Sequence, residues 1–182
     1  MVYPNPLRIG LLLIFLAMVS CENDPVEVKK MASDKEFPVS TARNIEIVYT
    51  DSARLKAVLN APLRETYLGE NERVEFKQGV KVLFYGDDGK QSGNLTAGYG
   101  ISYSKTEQMI ARNNVEMYDA LQGKRLNTEE LIWDQKTGKI RSDKFSKITS
   151  KEEVIYGDGF ESNQDFSNYR ILKIRGIVNL SE

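Results

Sequence analysis

From about residue 45 onward, apolar and polar positions alternate in short runs broken by turn residues, a pattern that predicts β-strands rather than helices. Ile45-Glu46-Ile47-Val48-Tyr49 is one such run, rich in β-branched residues. Gly79-Val80-Lys81-Val82-Leu83-Phe84-Tyr85 is another, and it stops at Gly86-Asp87-Asp88-Gly89-Lys90, which has the composition of a hairpin turn. From Leu95 to Tyr103 apolar groups fall on every second residue, which predicts one wet and one buried face. Asp134-Gln135-Lys136-Thr137-Gly138-Lys139 turns the chain again before Ile140. No window sustains a 3.6-residue period; residues 127–133 come nearest and are too few and too polar. All five prolines lie at or before Pro62, so later strands can form ladders without a missing donor. The pattern predicts an all-β, antiparallel domain over residues 41–182.

The alternation also repeats. Ile101-Ser102-Tyr103 is matched thirty residues later by Leu131-Ile132-Trp133, and Ile110, Val115 and Tyr118 are matched by Ile140, Phe145 and Ile148. Looser copies run upstream through Thr66-Tyr67 and residues 79–82, and downstream through Gly159-Phe160-Glu161 and residues 171–174. A hairpin unit of this kind cannot bury its apolar face alone, so neighbouring units must stack on a shared core. Hairpin proteins also generate some self-similarity by chance, but several matched pairs at one offset favour repetition.

The amino terminus has a different character. Arg8 precedes eleven apolar residues, 9–19, whereas a bilayer-spanning helix needs about twenty. Residues 1–20 therefore read as a secretory signal. The signal ends in Met18-Val19-Ser20-Cys21, which resembles a bacterial lipobox with Cys21 as the lipid acceptor. Residues 21–40 then read as a lipidated, flexible tether to a membrane. The plainer alternative is an ordinary signal, or a short uncleaved anchor, with an incidental cysteine.

Composition removes several classes of chemistry. The net charge is −1, and cleaving residues 1–20 takes away only Arg8, so no basic footprint for nucleic acid or an anionic membrane surface exists. Histidine is absent and Cys21 is the sole cysteine. Neither the commonest proton-transfer side chain nor a thiolate cluster or internal disulfide is available. Gly157-Asp158-Gly159-Phe160-Glu161-Ser162 lacks the third glycine of a dinucleotide fingerprint and reads as a turn. Glu129-Glu130 and Glu152-Glu153 are adjacent pairs, which in a strand face opposite ways and cannot share a substrate. No phosphate-cradling G-x-x-x-x-G-K-[ST] segment occurs. The expectation is a non-enzymatic protein with no catalytic residue, metal or cofactor.

An ordered set of segments resembles a known family. It comprises the apolar leader, an extended first strand, residues 57–67, Gly79-Val80-Lys81-Val82 and the repeat over residues 95–148. Tyr156-Gly157-Asp158-Gly159-Phe160-Glu161 and the closing residues 169–178 with Gly176 complete it. The set is similar to the LptC family of periplasmic lipopolysaccharide export proteins and its OstA-like relatives. The resemblance implies a twisted, open β-jellyroll of two antiparallel sheets with an apolar groove. It implies a bridge protein of the periplasm, anchored to the inner membrane, that receives lipopolysaccharide from an ABC transporter and passes it toward the outer membrane. Better-known members keep an uncleaved transmembrane helix, from which the short leader and Cys21 depart.

On that reading Tyr99, Ile101, Tyr103, Val115 and Met117 are groove candidates, with Leu131, Trp133, Ile140 and Phe145 as their repeat partners. Residue by residue, ordinary sandwich core is the plainer reading and outweighs acyl contact. The family assigns the first edge to the periplasmic domains of the transporter permeases and the last edge to a bridge protein of the same fold. Here Ile45, Ile47 and Tyr49 would lie on the first edge, and Ile171, Ile174 and Ile177 on the last. The alternative function is an envelope lipoprotein that only pairs with other proteins and carries no lipid.

Overall fold

The computed structural model describes residues 37–180 except 165 and 167. The expected signal, Cys21 and nearly all of the expected tether lie outside the described residues. Among the described residues the chain forms twelve strands and no helix. They are β1 (Ser40–Asp51), β2 (Arg54–Tyr67), β3 (Arg73–Phe76), β4 (Val80–Tyr85), β5 (Gln91–Ala97) and β6 (Tyr99–Tyr103). The second half holds β7 (Gln108–Asp119), β8 (Lys124–Asp134), β9 (Lys139–Thr149), β10 (Glu153–Asn163), β11 (Tyr169–Ile171) and β12 (Ile174–Asn179).

All twelve belong to one hydrogen-bonded sheet. Three pairs of short strands are the interrupted halves of longer ones: β3 and β4 are parted by residues 77–79, β5 and β6 by Gly98, and β11 and β12 by Leu172 and Lys173. With each such pair counted as one, the sheet is a simple antiparallel meander of bent strands, every one paired with the next in sequence. The ladders make this explicit, since β4 pairs β5 while β3 pairs β6, and β5 and β6 both pair β7. Likewise β10 pairs β12 through its first half and β11 through its second.

The bends fall at one level across the sheet. The β1–β2 ladder skips Asn44 and Pro62, a position where proline's missing N–H costs no hydrogen bond. The β7–β8 ladder shifts between Arg112 and Val115, β8–β9 between Thr128 and Ile132, and β9–β10 between Asp158 and Phe160. Left-handed backbone marks the same places: Asn44 (φ 50°), Asn113 (67°), Asn114 (53°), Lys173 (45°) and Gly159 (114°). Asparagine and glycine are the residues that enter this region most readily.

Adjacent corners also touch. The Gly98 N–H donates to the Asn113 carbonyl at 2.8 Å, and the Leu172 N–H to the Gly159 carbonyl at 2.9 Å. Between them, Thr128 Oγ1 lies 3.1 Å from Ser142 Oγ, donates to the Phe145 carbonyl at 3.0 Å and accepts from Ser146 Oγ at 3.2 Å. Buried hydroxyls thus replace the ladder bonds that the β8–β9 corner gives up.

Bending every strand at one level folds the sheet over on itself. The first layer holds β4, β5, β12 and the adjoining half-strands, and the second holds β3, β6, β11 and the rest. The core cluster draws on both, with Val80, Ala97, Val115, Met117, Leu126 and Ile148 from the first layer and Phe76, Leu131, Ile140 and Phe160 from the second. Alternate corners lie thirty residues apart, at 113, 143 and 173 and again at 129 and 159, so the sequence repeat is two bent strands.

The all-β jellyroll-like class therefore holds, with two corrections of detail. Residues 95–103 form two strands with a corner at Gly98, where a Cβ would press to 3.1 Å on Asn113 Cβ. The segment from Gly157 to Ser162 is strand, with Gly159 as its corner, rather than a turn.

Close packing at the last corner gives a stability test. A Cβ on Gly157 would meet the Leu172 carbonyl at 2.5 Å and the Lys173 carbonyl at 2.7 Å, both rigid backbone atoms. Gly157→Ala should lower the free energy of unfolding by about 1–3 kcal/mol, read as a lower midpoint in urea. An unchanged midpoint would show that the β11–β12 junction yields freely.

Candidate functional site

The seam between the two layers is where apolar side chains meet. Register defines its walls. In the first layer Val115 faces Thr128 and Met117 faces Leu126, which faces Ile148. In the second layer Ala111 faces Leu131 and Trp133 faces Ile140. Val115 and Phe160 are 1% and 2% exposed, which makes them the centre of the packing. Fully burying a side chain of this size contributes about 1.5–3 kcal/mol.

Away from the corner line the seam opens between strand tips. Met117, Asp119, Lys124, Leu126 and Ile148 of the first layer and Phe160, Phe166 and Tyr169 of the second line a narrow cleft that opens to solvent and holds a cavity of about 20 Å³. Aromatic rings close much of it. The Phe160 ring lies 6.5 Å from Phe166 and 6.3 Å from Tyr169, both nearly parallel to it. Lys124 Nζ sits 4.8 Å over the Tyr169 ring, bridging the layers by a cation–π contact. Asp119 is engaged in its own turn, accepting from the Leu121 and Gln122 N–H groups.

Of the groove candidates, Val115, Met117, Leu131 and Ile140 lie in the seam, and Trp133 packs against its core. Tyr99, Ile101 and Tyr103 do not. The Gly98 corner turns β6 over, so that Gly100 faces Phe76 and Val80 inside the seam, with Ile101 on the opposite face. Phe145 is also outside: it stands in the β9 corner, 49% exposed, with its ring 6.0 Å from Tyr156. Sequence reasoning missed Lys124, Phe160, Phe166 and Tyr169 at the mouth. Phe160 carried the one available signal, an apolar ring beside a glycine in a segment read as a turn.

The outer face of the second layer is a charged and aromatic cluster rather than a groove. Glu65 faces Glu75 across β2 and β3, and Glu75 faces Ile101 across β3 and β6. Lys77 Nζ donates to the Tyr67 hydroxyl at 2.7 Å and pairs with Glu65 at 2.7 Å, while the Tyr67 hydroxyl donates to Glu65 at 2.8 Å. Arg73 donates to Glu75 at 2.6 Å and lies 4.2 Å over the Tyr67 ring. Burial, followed by the charge of Glu75, pushes the Tyr99 hydroxyl up to about 12.

Both ends of the meander present unpaired edges among the described residues. On β1, Ile47, Val48 and Tyr49 are exposed, while Ile45 packs against the core. On β12, Ile174, Ile177 and Val178 are exposed, while Ile171 of β11 packs inward. Among the described residues no group of three or more acidic, histidine or cysteine side chains could hold a metal ion, and no helix is long and apolar enough to cross a membrane.

A folded β-meander with an apolar seam and, among the described residues, two unpaired edges belongs to the jellyroll-like class. Residues 9–178 match the family model for LptC-related lipopolysaccharide-assembly proteins, and the chain belongs to that family. No curated protein matches it. The family works in lipopolysaccharide transport and assembly on the periplasmic side of the cell envelope.

The outer cluster makes the fold pH-sensitive in a defined direction. Hydrogen bonds from Lys77 and then Tyr67 hold the Glu65 carboxyl below its ordinary 4.5, and the Glu65 and Tyr67 bonds raise Lys77. A depressed carboxylate stabilises the fold above its unfolded-state pKa and stops doing so as pH falls through its folded-state value. Lys77→Met should therefore lower the urea midpoint at neutral pH, with the gap to wild type closing as pH falls through and below the ordinary carboxylate range. A gap that stays constant over that range would mean the loss is packing alone.

Proposed function

We propose that this protein is the periplasmic bridge component that receives lipopolysaccharide from an inner-membrane ABC transporter and passes it, acyl chains inward, along the seam toward the outer membrane. The observation that carries the reading is the seam itself: an apolar interior that crosses every bent strand and opens at the strand tips. A lipid with several acyl chains needs such a trough, apolar within and open along one side for its wet head. Lys124, Phe166 and Tyr169 close the mouth by contacts that are individually weak.

The edges support transfer between proteins. An exposed strand edge pairs with another chain's edge by main-chain hydrogen bonds, and both ends of this sheet carry apolar side chains on such an edge. The transporter permeases at β1 and a bridge protein of the same fold at β12 would extend one trough through three proteins. Energy would come from the transporter. Catalysis plays no part, and Cys21 supplies a lipid anchor to the inner membrane after cleavage of residues 1–20.

A second reading, an envelope interaction module without lipid cargo, is favoured by the close packing of Val115, Leu126 and Phe160 at the seam's centre. Photo-crosslinkable residues in cells separate the two. Met117 and Leu131 positions should capture lipopolysaccharide, and outer-face Tyr103 and Phe145 positions should not. Protein-only crosslinks at every inward site would leave the interaction module standing.

The anchor has its own test. Cys21→Ala should leave an unprocessed, unlipidated precursor by intact mass. A processed product of unchanged mass would remove Cys21 from the proposal.

A further inference from the structure

The interior satisfies its oxygens and leaves nitrogens open. The buried hydroxyls of Thr128, Ser142, Ser146 and Ser162 all have hydrogen-bond partners. Among the described residues, the buried side-chain polar atoms without a partner are Trp133 Nε1 and Arg64 Nε. Both are donors. A buried indole N–H ordinarily finds an acceptor, because leaving it unpaired forfeits the hydrogen bond it made with water. An interior short only of acceptors is complementary to a guest that brings them.

Trp133 stands where such a guest would have them. It lies on the seam face of β8, beside Met109 and Ile140 on the neighbouring strands. It is also the last inward residue before Asp134, where the strand ends and the tip begins. Deeper on the same strand Leu131 offers only hydrocarbon, and the corner hydroxyls of Thr128 and Ser142 beyond it are already bonded to one another. In an acylated lipid the ester and amide carbonyls lie at this same boundary, between the chains and the wet head. A single neutral donor in apolar surroundings suits a neutral carbonyl better than an anion, which would need a cation beside it.

We infer that the Trp133 indole N–H is the hydrogen-bond donor that holds an acyl-linkage carbonyl of the lipid within the seam. This rests on the conduit reading and adds to it the group that sets how deep the lipid sits. The chains would fill the space toward Phe160, and the linkage carbonyl would stop at Trp133.

Trp133 is the only tryptophan in the chain, so the full-length protein labelled with 15N-tryptophan gives a single indole cross-peak. Titration with lipid A should move that proton downfield. Trp133→Phe keeps an apolar ring without the donor and should bind lipid A roughly fivefold to tenfold more weakly. Lipid A carrying a nitroxide on an acyl chain distinguishes the ways to fail. Broadening of the cross-peak without a shift, together with unchanged affinity of the Phe variant, would place the chain beside the ring and overturn the hydrogen bond while leaving the conduit intact. Neither broadening nor shift at saturating lipid A would overturn both.

Discussion

The constraint on which the rest of the structure depends is that every strand must bend at the same level. A strand that bends alone breaks two ladders, whereas a row of bends lets the sheet fold as one surface. Here the row is held by contacts from corner to corner. Gly98 bonds to Asn113, Asn114 to Glu129, Thr128 to Ser142 and Ser146, and Gly159 to Leu172. The residue types follow from this duty. Left-handed backbone costs most side chains about 1–2 kcal/mol, and asparagine and glycine occupy most of the corners that need it. Close approach of neighbouring corners excludes a Cβ at Gly157, where two carbonyls already lie within contact distance.

Because the corners join the layers along one side, the opposite side is held together differently. There the layers meet through ring stacking on Phe160 and the Lys124–Tyr169 contact. A cation–π contact at a partly exposed site contributes about 0.5–1 kcal/mol, while parting the corners would cost many backbone hydrogen bonds. The fold is therefore strong along its spine and weak along its mouth. On the proposed function this asymmetry lets a lipid enter sideways without unfolding the sheet, and the side chains that fill the seam are those an acyl chain would displace.

The all-β class, the strand runs near residues 45, 80 and 140, and the turns at 86–90 and 134–139 were legible because each depends on neighbours within a few residues. The thirty-residue repeat was legible too, since it records alternate corners. What alternation could not carry was the facing of side chains beyond a corner. Period-two reasoning holds only to the next irregularity, after which inward and outward can exchange. Tyr99, Ile101 and Tyr103 lie past Gly98 and face outward although Leu95 and Ala97, in phase with them, face inward. Phe145 fails for a similar reason, sitting among the four β9 residues, 142–145, that have no partner on β8. The mouth residue Phe166 comes from a connection without alternation, and Tyr169 opens the three-residue β11, too short to show a period, so no periodic signal marked them.

Repeat, corner row and unpaired edges are consequences of one way of building a trough. Each thirty-residue unit adds two bent strands, which lengthens the seam by about 9.6 Å at 4.8 Å per strand without changing its cross-section. A barrel would close after a fixed number of strands, and a sandwich of two separate sheets would need crossovers that block one end. A bent meander has neither limit: its length is set by where the chain stops, and each end is a strand edge of the same geometry as every internal one. On the proposed function, covering those edges with charge, as solitary sheets do, would interrupt the seam's wall at the point of transfer. The exposed Ile47 and Val48 at one end and Ile177 and Val178 at the other are what continuity with a neighbouring sheet would then require.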